Sequence, residues 1–180
     1  MLTIPIKTKG LFGKLAIDTI EVAGDKWKAK HLKSIEAAYS KAKYFKLYMP
    51  VLNEFYNKPV TKLIDFITPI NEWLIDELNI RTKIVKSSEM KIGDTKSDLI
   101  LNICKSLNAS TYLSGPFGRD YLNLGTFNDA GIKVEFHDYL HPVYDQVFKG
   151  FQPYMAIVDL LFNHGPGSIN ILNYSNAKFV

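Results

Sequence analysis

An α/β fold, with a mainly parallel sheet, flanking helices and a helical segment near the N-terminus, is what the sequence predicts, on three observations. Apolar residues recur at helical spacing from about residue 25 to residue 78. Short β-rich runs then alternate with helical patterns, an order that argues for parallel strands joined by crossovers. The composition is ordinary for a globular chain, with 47% hydrophobic and 22% charged residues among 180. A chain of that length buries roughly 70% of its unfolded surface, so one domain over 1–180 with a polar tail at 174–180 is expected.

Taken in order, Leu2-Thr3-Ile4-Pro5-Ile6 reads as a short strand that Pro5 confines to an edge or an end. A turn at Gly10 to Gly13 leads to a second extended segment through Ile17, Ile20 and Val22. Asp25 is placed to cap a helix whose apolar positions are Trp27, Leu32, Ile35 and Tyr39. A second helix runs through Tyr44, Phe45, Tyr48, Leu52 and Phe55, with Pro50 expected to kink or divide it. Thr61 would cap a third, carrying a wide stripe from Leu63 to Leu78 and a second internal proline, Pro69.

The rhythm then changes. Lys83-Ile84-Val85-Lys86 is strand-like, Ser97 to Leu107 helical, and Thr111-Tyr112-Leu113 a strand entering the turn Ser114-Gly115-Pro116-Phe117-Gly118. A helix is expected to begin over Asp120 to Leu124, followed by a turn from Phe127 to Gly131 and a strand from Ile132 to Phe136.

Composition narrows the function. The net charge of +4 is concentrated in ten lysines within the first quarter. No arginine cluster or aromatic platform accompanies them, so they read as a solvated helix face and nucleic-acid binding is not expected. The single cysteine, Cys104, lies in an apolar run, which excludes an intrachain disulfide and suits a core position in a reducing compartment. That run is too short to span a bilayer, and no secretory signal pattern opens the chain, so a cytoplasmic protein without a membrane span is expected. P-loop, GxGxxG, CxxC, HExxH and GxSxG elements do not occur, and neither a metal nor a cofactor is expected.

Two polar loops remain as candidate sites, both just after strands, where open α/β sheets bind ligands. In Ser114 to Tyr121 a glycine loop opens a helix start, where free N–H groups can meet an anion and Arg119 can clamp phosphate or carboxylate; a plain tight turn is the alternative. His137 to Gln146 holds two histidines, two aspartates, two tyrosines and a glutamine. His141 is the better candidate base, with His137 an ordinary loop histidine, and Pro142 argues against a helical metal pair. His164 suits a helix C-terminus. Asp159 interrupts Met155-Ala156-Ile157-Val158 and Leu160-Leu161-Phe162 and must find a partner, for which His141 and Arg119 are candidates.

The ordered set of Trp27, Lys30-His31, Ile35, Tyr39 and Lys43-Tyr44-Phe45 resembles the signature of the WbqC-like proteins. Tyr112-Leu113-Ser114-Gly115, Tyr121-Leu122, Gly131-Ile132, His141-Pro142-Tyr144-Gln146, Phe151-Pro153 and Asp159-Leu160-Leu161-Phe162-Asn163-Gly165 continue it in order, from Leu2 to about Leu172. That family is found among bacterial O-antigen and other surface-polysaccharide genes, and some members are suggested to be glycine transferases. The resemblance implies glycyl or similar acylation of an amino sugar carried on a nucleotide, from an activated acyl donor. It implies His141 as base and Asp159 as its orienter, with Ser114, Gly115, Arg119, Tyr121, Tyr144, Gln146 and His31 contacting substrates. Family members also carry a leading "HQP…LPW" strand and an "NRN" element, so the chain is expected to be N-terminally truncated relative to them. A serine of the family pattern is Ala156 here. An open edge strand at Leu2 would invite a partner or a second copy, the alternative being a non-catalytic binding or assembly subunit.

Overall fold

The computed structural model describes residues 2–8, 16–174 and 177–179. Helices and strands mix in an α/β architecture that separates into two compact units. The first comprises 1–81 and 143–172, the second 82–142 and 173–180.

The first unit is helical, and its sequence pattern explains why. α1 (Lys26–Tyr39) sets Trp27, His31, Ile35 and Tyr39 four residues apart, so they lie one above another on a single face. Trp27, His31 and Ile35 are buried there, and the Trp27 indole N–H donates to the Gly24 carbonyl at 2.9 Å. α2 (Phe45–Asn57) buries Tyr48, Met49, Leu52 and Tyr56. α3 (Leu63–Glu77) buries Phe66 and is started by the Asp65 carboxylate, which accepts the Lys62 N–H at 3.0 Å. Thr61 is therefore not the cap: the acidic side chain three residues inside the helix satisfies the free donor instead. Neither Pro50 nor Pro69 divides its helix.

Two strand expectations in this unit are corrected. Leu2 to Ile6 forms no strand; it contributes one antiparallel bridge, Ile6 to Val22. Ile17–Thr19 is a 3-10 turn, and the next extended residues pair only through Glu21 to Lys62 and Ile6 to Val22. An alternating pattern makes a strand only where a neighbour supplies a ladder. The turn expected at Gly10 to Gly13 lies outside the described residues.

The first unit is completed by α6 (Ile157–His164), whose Leu160, Leu161 and Phe162 are fully or almost fully buried. Phe162 stacks on Tyr39 at 4.9 Å and contacts Phe45 at 5.5 Å. α6 ends at Gly165, with φ +58° and ψ −136°, a region open essentially to glycine alone. A side chain there would also meet the Tyr44 ring at 2.5 Å. Ser168, at the start of α7 (Ser168–Tyr174), is completely buried and donates to the Gly165 carbonyl at 2.7 Å.

The second unit holds the sheet. α4 (Lys96–Ser106) buries Leu101 and Cys104 against Phe127 and Ile132. β1 (Thr111–Ser114) pairs in parallel with β2 (Lys133–Tyr139), Thr111 opposite Lys133, and β3 (Ala177–Phe179) pairs antiparallel with β2. The polar tail expected at 174–180 thus supplies an edge strand. α5 (Leu124–Asp129) starts later than expected, because 116–120 is taken up by a 3-10 turn. The strand expected at Lys83 to Lys86 does not form; Ile84 and Val85 are exposed, and among the described residues no strand pairs with them.

Candidate functional site

Asp159 is the centre of the first unit's polar chemistry. It sits in the first turn of α6 at 4% exposure, so its carboxylate must be satisfied within the protein. Its Oδ2 accepts from the Tyr144 hydroxyl and the Gln146 amide, both at 2.9 Å, and the Tyr39 hydroxyl also hydrogen-bonds the carboxylate. Burial, followed by the Asp159 carboxylate, pushes the Tyr39 phenol far above its ordinary range, so it stays protonated as a fixed donor. All three donors are neutral. Among the described residues of its own unit no ion pair reaches this carboxylate, which is held there by neutral hydrogen-bond donors alone, an arrangement open to a cationic ligand.

Local sequence places these donors. Tyr144 packs edge-on against Phe151 at 5.3 Å and His164 at 5.6 Å. The His164 Nε2–H donates to the Asp145 carbonyl at 2.9 Å, tying the end of α6 to the Tyr144 segment. Gln146 latches its own loop: its amide donates to the Gln152 carbonyl at 3.0 Å, while its Oε1 accepts the Gln152 N–H at 2.8 Å. Gly150, at φ +95°, allows the reversal between them. A cavity of about 290 Å³ opens inside this loop, lined by Tyr39, Gln146, Phe148, Lys149, Phe151 and Asp159 among others.

His31 is buried at 4% exposure with both ring nitrogens engaged inside the protein. Its Nε2 lies 3.0 Å from the Thr3 carbonyl, which can only accept, so Nε2 carries the proton and Nδ1 accepts from the Tyr56 hydroxyl at 3.3 Å. Burial lowers its pKa below the usual histidine value, keeping the ring neutral.

In the second unit, Ser114 ends β1 at 2% exposure and donates to the Gly115 carbonyl at 3.0 Å. Gly118 lies so close to the Ser114 and Leu122 side chains that a side chain at 118 would force them to shift. Arg119 lays its guanidinium over the Phe136 ring at 4.4 Å, and Tyr121 is exposed. His141 follows β2, its Nδ1 2.7 Å from the Pro142 carbonyl and its ring edge-on to Tyr139 at 6.4 Å. His137 stacks on Tyr139 at 5.6 Å.

The candidate residues therefore divide. Tyr144, Gln146 and Asp159 come together in the first unit, with His31 elsewhere on its α1. Ser114, Gly115, Arg119, Tyr121 and His141 belong to the second unit. The partners expected for Asp159, His141 and Arg119, are both second-unit residues, and its donors within its own unit are Tyr39, Tyr144 and Gln146. Tyr39 has the spacing of a core position on α1, and in the sequence only its phenolic hydroxyl distinguishes it from the apolar residues of that face. Phe148 and Lys149 carried no pattern signal at all. Among the described residues, no three His, Cys, Asp or Glu side chains gather as a metal site, and no helix is long and apolar enough to cross a membrane.

Residues 1–171 match the WbqC-like protein family. The chain belongs to that family. A relative in Mycobacterium tuberculosis (strain ATCC 25618 / H37Rv), "Uncharacterized protein Rv1507c", is 30% identical over 175 residues, covering 96% of this chain and 75% of the relative. No solved structure matches the chain. The WbqC-like signature residues have identifiable places here: Trp27, His31 and Ile35 are core positions on α1, Tyr39 and Asp159 meet at the carboxylate, and Gly165 makes the turn that only glycine allows.

Proposed function

We propose that this WbqC-like protein is a transferase of surface-polysaccharide biosynthesis that acylates an amino sugar carried on a nucleotide. The observation that supports the reading most is the Asp159 carboxylate, held by neutral donors beside a cavity of about 290 Å³. A carboxylate held in this way prefers an ammonium over a hydroxyl, and the flanking Phe148 and Phe151 rings suit the apolar face of a sugar. Lys149, on the same loop, is available to a phosphate.

In this reading the bound amine loses a proton to a base and attacks the donor's acyl carbonyl carbon. The C–N bond forms as the bond to the leaving group breaks, and the leaving group departs with that electron pair. His141 is the proposed base, an imidazole whose ring can take a proton from the amine and pass it on. Ser114, Gly115, Arg119 and Tyr121 are the proposed contacts for donor or nucleotide phosphate, with Tyr144 and Gln146 holding Asp159, and His31 positioning α1.

A thermal-shift scan against nucleotide-linked sugars tests this, pairing each amino sugar with its hydroxyl counterpart. Stabilisation by amino sugars alone is expected, by about 2.7 kcal/mol at a hundredfold excess over the dissociation constant. Equal response to both members of each pair would remove the amine-anchor role. For the base, His141→Ala should abolish turnover with an almost unchanged melt; a large drop in melting temperature would make His141 structural.

A further inference from the structure

A second, larger cavity lies in the same unit and the polar site does not use it. It measures about 790 Å³, within the roughly 300–1,000 Å³ span of small-molecule sites. Its walls are aliphatic and aromatic, with Ile35, Leu52, Ile70, Leu74, Ile157 and Val158 prominent. The polar groups there are few, and the Tyr56 hydroxyl is already committed to His31. Ala38, Tyr39 and Met155 line both this cavity and the smaller one that holds Asp159. An apolar chamber and an anionic pocket thus share one wall. Tyr154 and Met155, at 79% and 42% exposure, add apolar surface to the larger cavity, as Phe148, at 66%, does to the smaller.

We infer that the 790 Å³ cavity holds the hydrocarbon chain of the acyl donor, so that the transferred group is a fatty acyl rather than a glycyl or acetyl unit. The inference deepens the transferase reading and rests on it for the word "donor". The chamber's chemistry selects the occupant. A glycyl group would leave most of such a volume unfilled and bring an ammonium toward aliphatic walls, whereas each methylene buried there gains hydrophobic free energy. The shared residues Ala38, Tyr39 and Met155 set the two cavities side by side, so a chain seated in the larger one would bring its carbonyl end close to the pocket where the amine is anchored.

The test is titration of the purified chain with acyl-pantetheine thioesters of two, six and ten carbons, read by calorimetry. Affinity should rise by about fourfold per methylene until the cavity is filled. Ala156→Trp, placed in the cavity wall, and Ser34→Trp, on an exposed part of it, should each flatten that dependence. Both should leave amino-sugar binding at the Asp159 pocket unchanged. The wild-type protein already decides the matter if a tryptophan variant fails to fold. Equal affinity for two- and ten-carbon donors would overturn the inference, and so would steep chain-length dependence that both folded variants retain. Failure here is distinguishable from failure of the transferase reading. Chain-length selectivity without amino-sugar binding upholds the cavity and removes the amine anchor, and selective amino-sugar binding with no chain-length dependence does the reverse.

Discussion

Replacing Asp159 by Asn separates what its charge does for the fold from what it does for ligands. With the side-chain oxygen in the Oδ2 position, the Tyr144 and Gln146 bonds persist as neutral hydrogen bonds, and the Tyr39 hydroxyl, which can donate or accept, can still bond the amide. Hydrogen bonds to a charged acceptor contribute about 1.5–3 kcal/mol against about 0.5–1.5 for neutral ones, so each of the three weakens by about 1 kcal/mol. The sum, about 3 kcal/mol, corresponds to a melting temperature lower by roughly 6–12 °C for a chain of this size. The variant should therefore fold cooperatively. Its preference for an amino sugar over the matching hydroxyl sugar should fall by about 10- to 100-fold, the value of one charged contact. Circular-dichroism melts and calorimetric titration of the sugar pair measure the two effects on one preparation. A folded Asp159→Asn protein that keeps its amine preference would refute the charge argument, because some other feature of the smaller cavity would then have to produce it.

Other outcomes follow from single geometries. Gly165→Ala should cost about 2–4 kcal/mol, from the strained φ of +58° and the 2.5 Å approach to Tyr44, measured by urea unfolding; a neutral result would contradict the turn. Phe162→Ala should cost about 3–5 kcal/mol, since the ring is fully buried against Tyr39 and Phe45, and it should weaken amino-sugar binding by loosening Tyr39. His31 is neutral when folded and its pKa lies below 6.5, so the folded state binds fewer protons than the unfolded chain in that range. Its contribution is complete above pH 6.5 and is lost as pH falls through the folded value, so melting temperature should decline on acidification. His31→Gln, which can still donate to the Thr3 carbonyl, should flatten that decline, and an unchanged pH profile would show that another group carries it.

Much of this molecule was legible in the sequence because its first unit is built from helices, whose pattern is local. Trp27, Ile35 and Leu52 follow from spacing alone, since a helix sets side-chain direction by position along the chain, whereas Phe66, the residue its helix buries, lay outside the expected stripe. A parallel arrangement of strands and the core place of Cys104 were equally visible, though which strands pair was not. Asp159 stood out for an energetic reason: a carboxylate among Leu, Ile and Val residues has to be paired or hydrogen-bonded. The motif set of the WbqC-like family was readable too, because it is carried by residue order.

What spacing could not decide was every feature that depends on a distant neighbour. Lys83 to Lys86 and Leu2 to Ile6 have strand patterns, but a strand exists only where another edge completes its hydrogen bonds, and that edge is a tertiary fact. The polar tail became β3 for the converse reason, because β2 offered it an edge. Asp159's donors within its own unit come from 13, 15 and 120 residues away, so only folding could name them as Gln146, Tyr144 and Tyr39. The two cavities belong to this second class as well, since an empty volume is a property of surfaces brought together, and no single segment of the chain contains it.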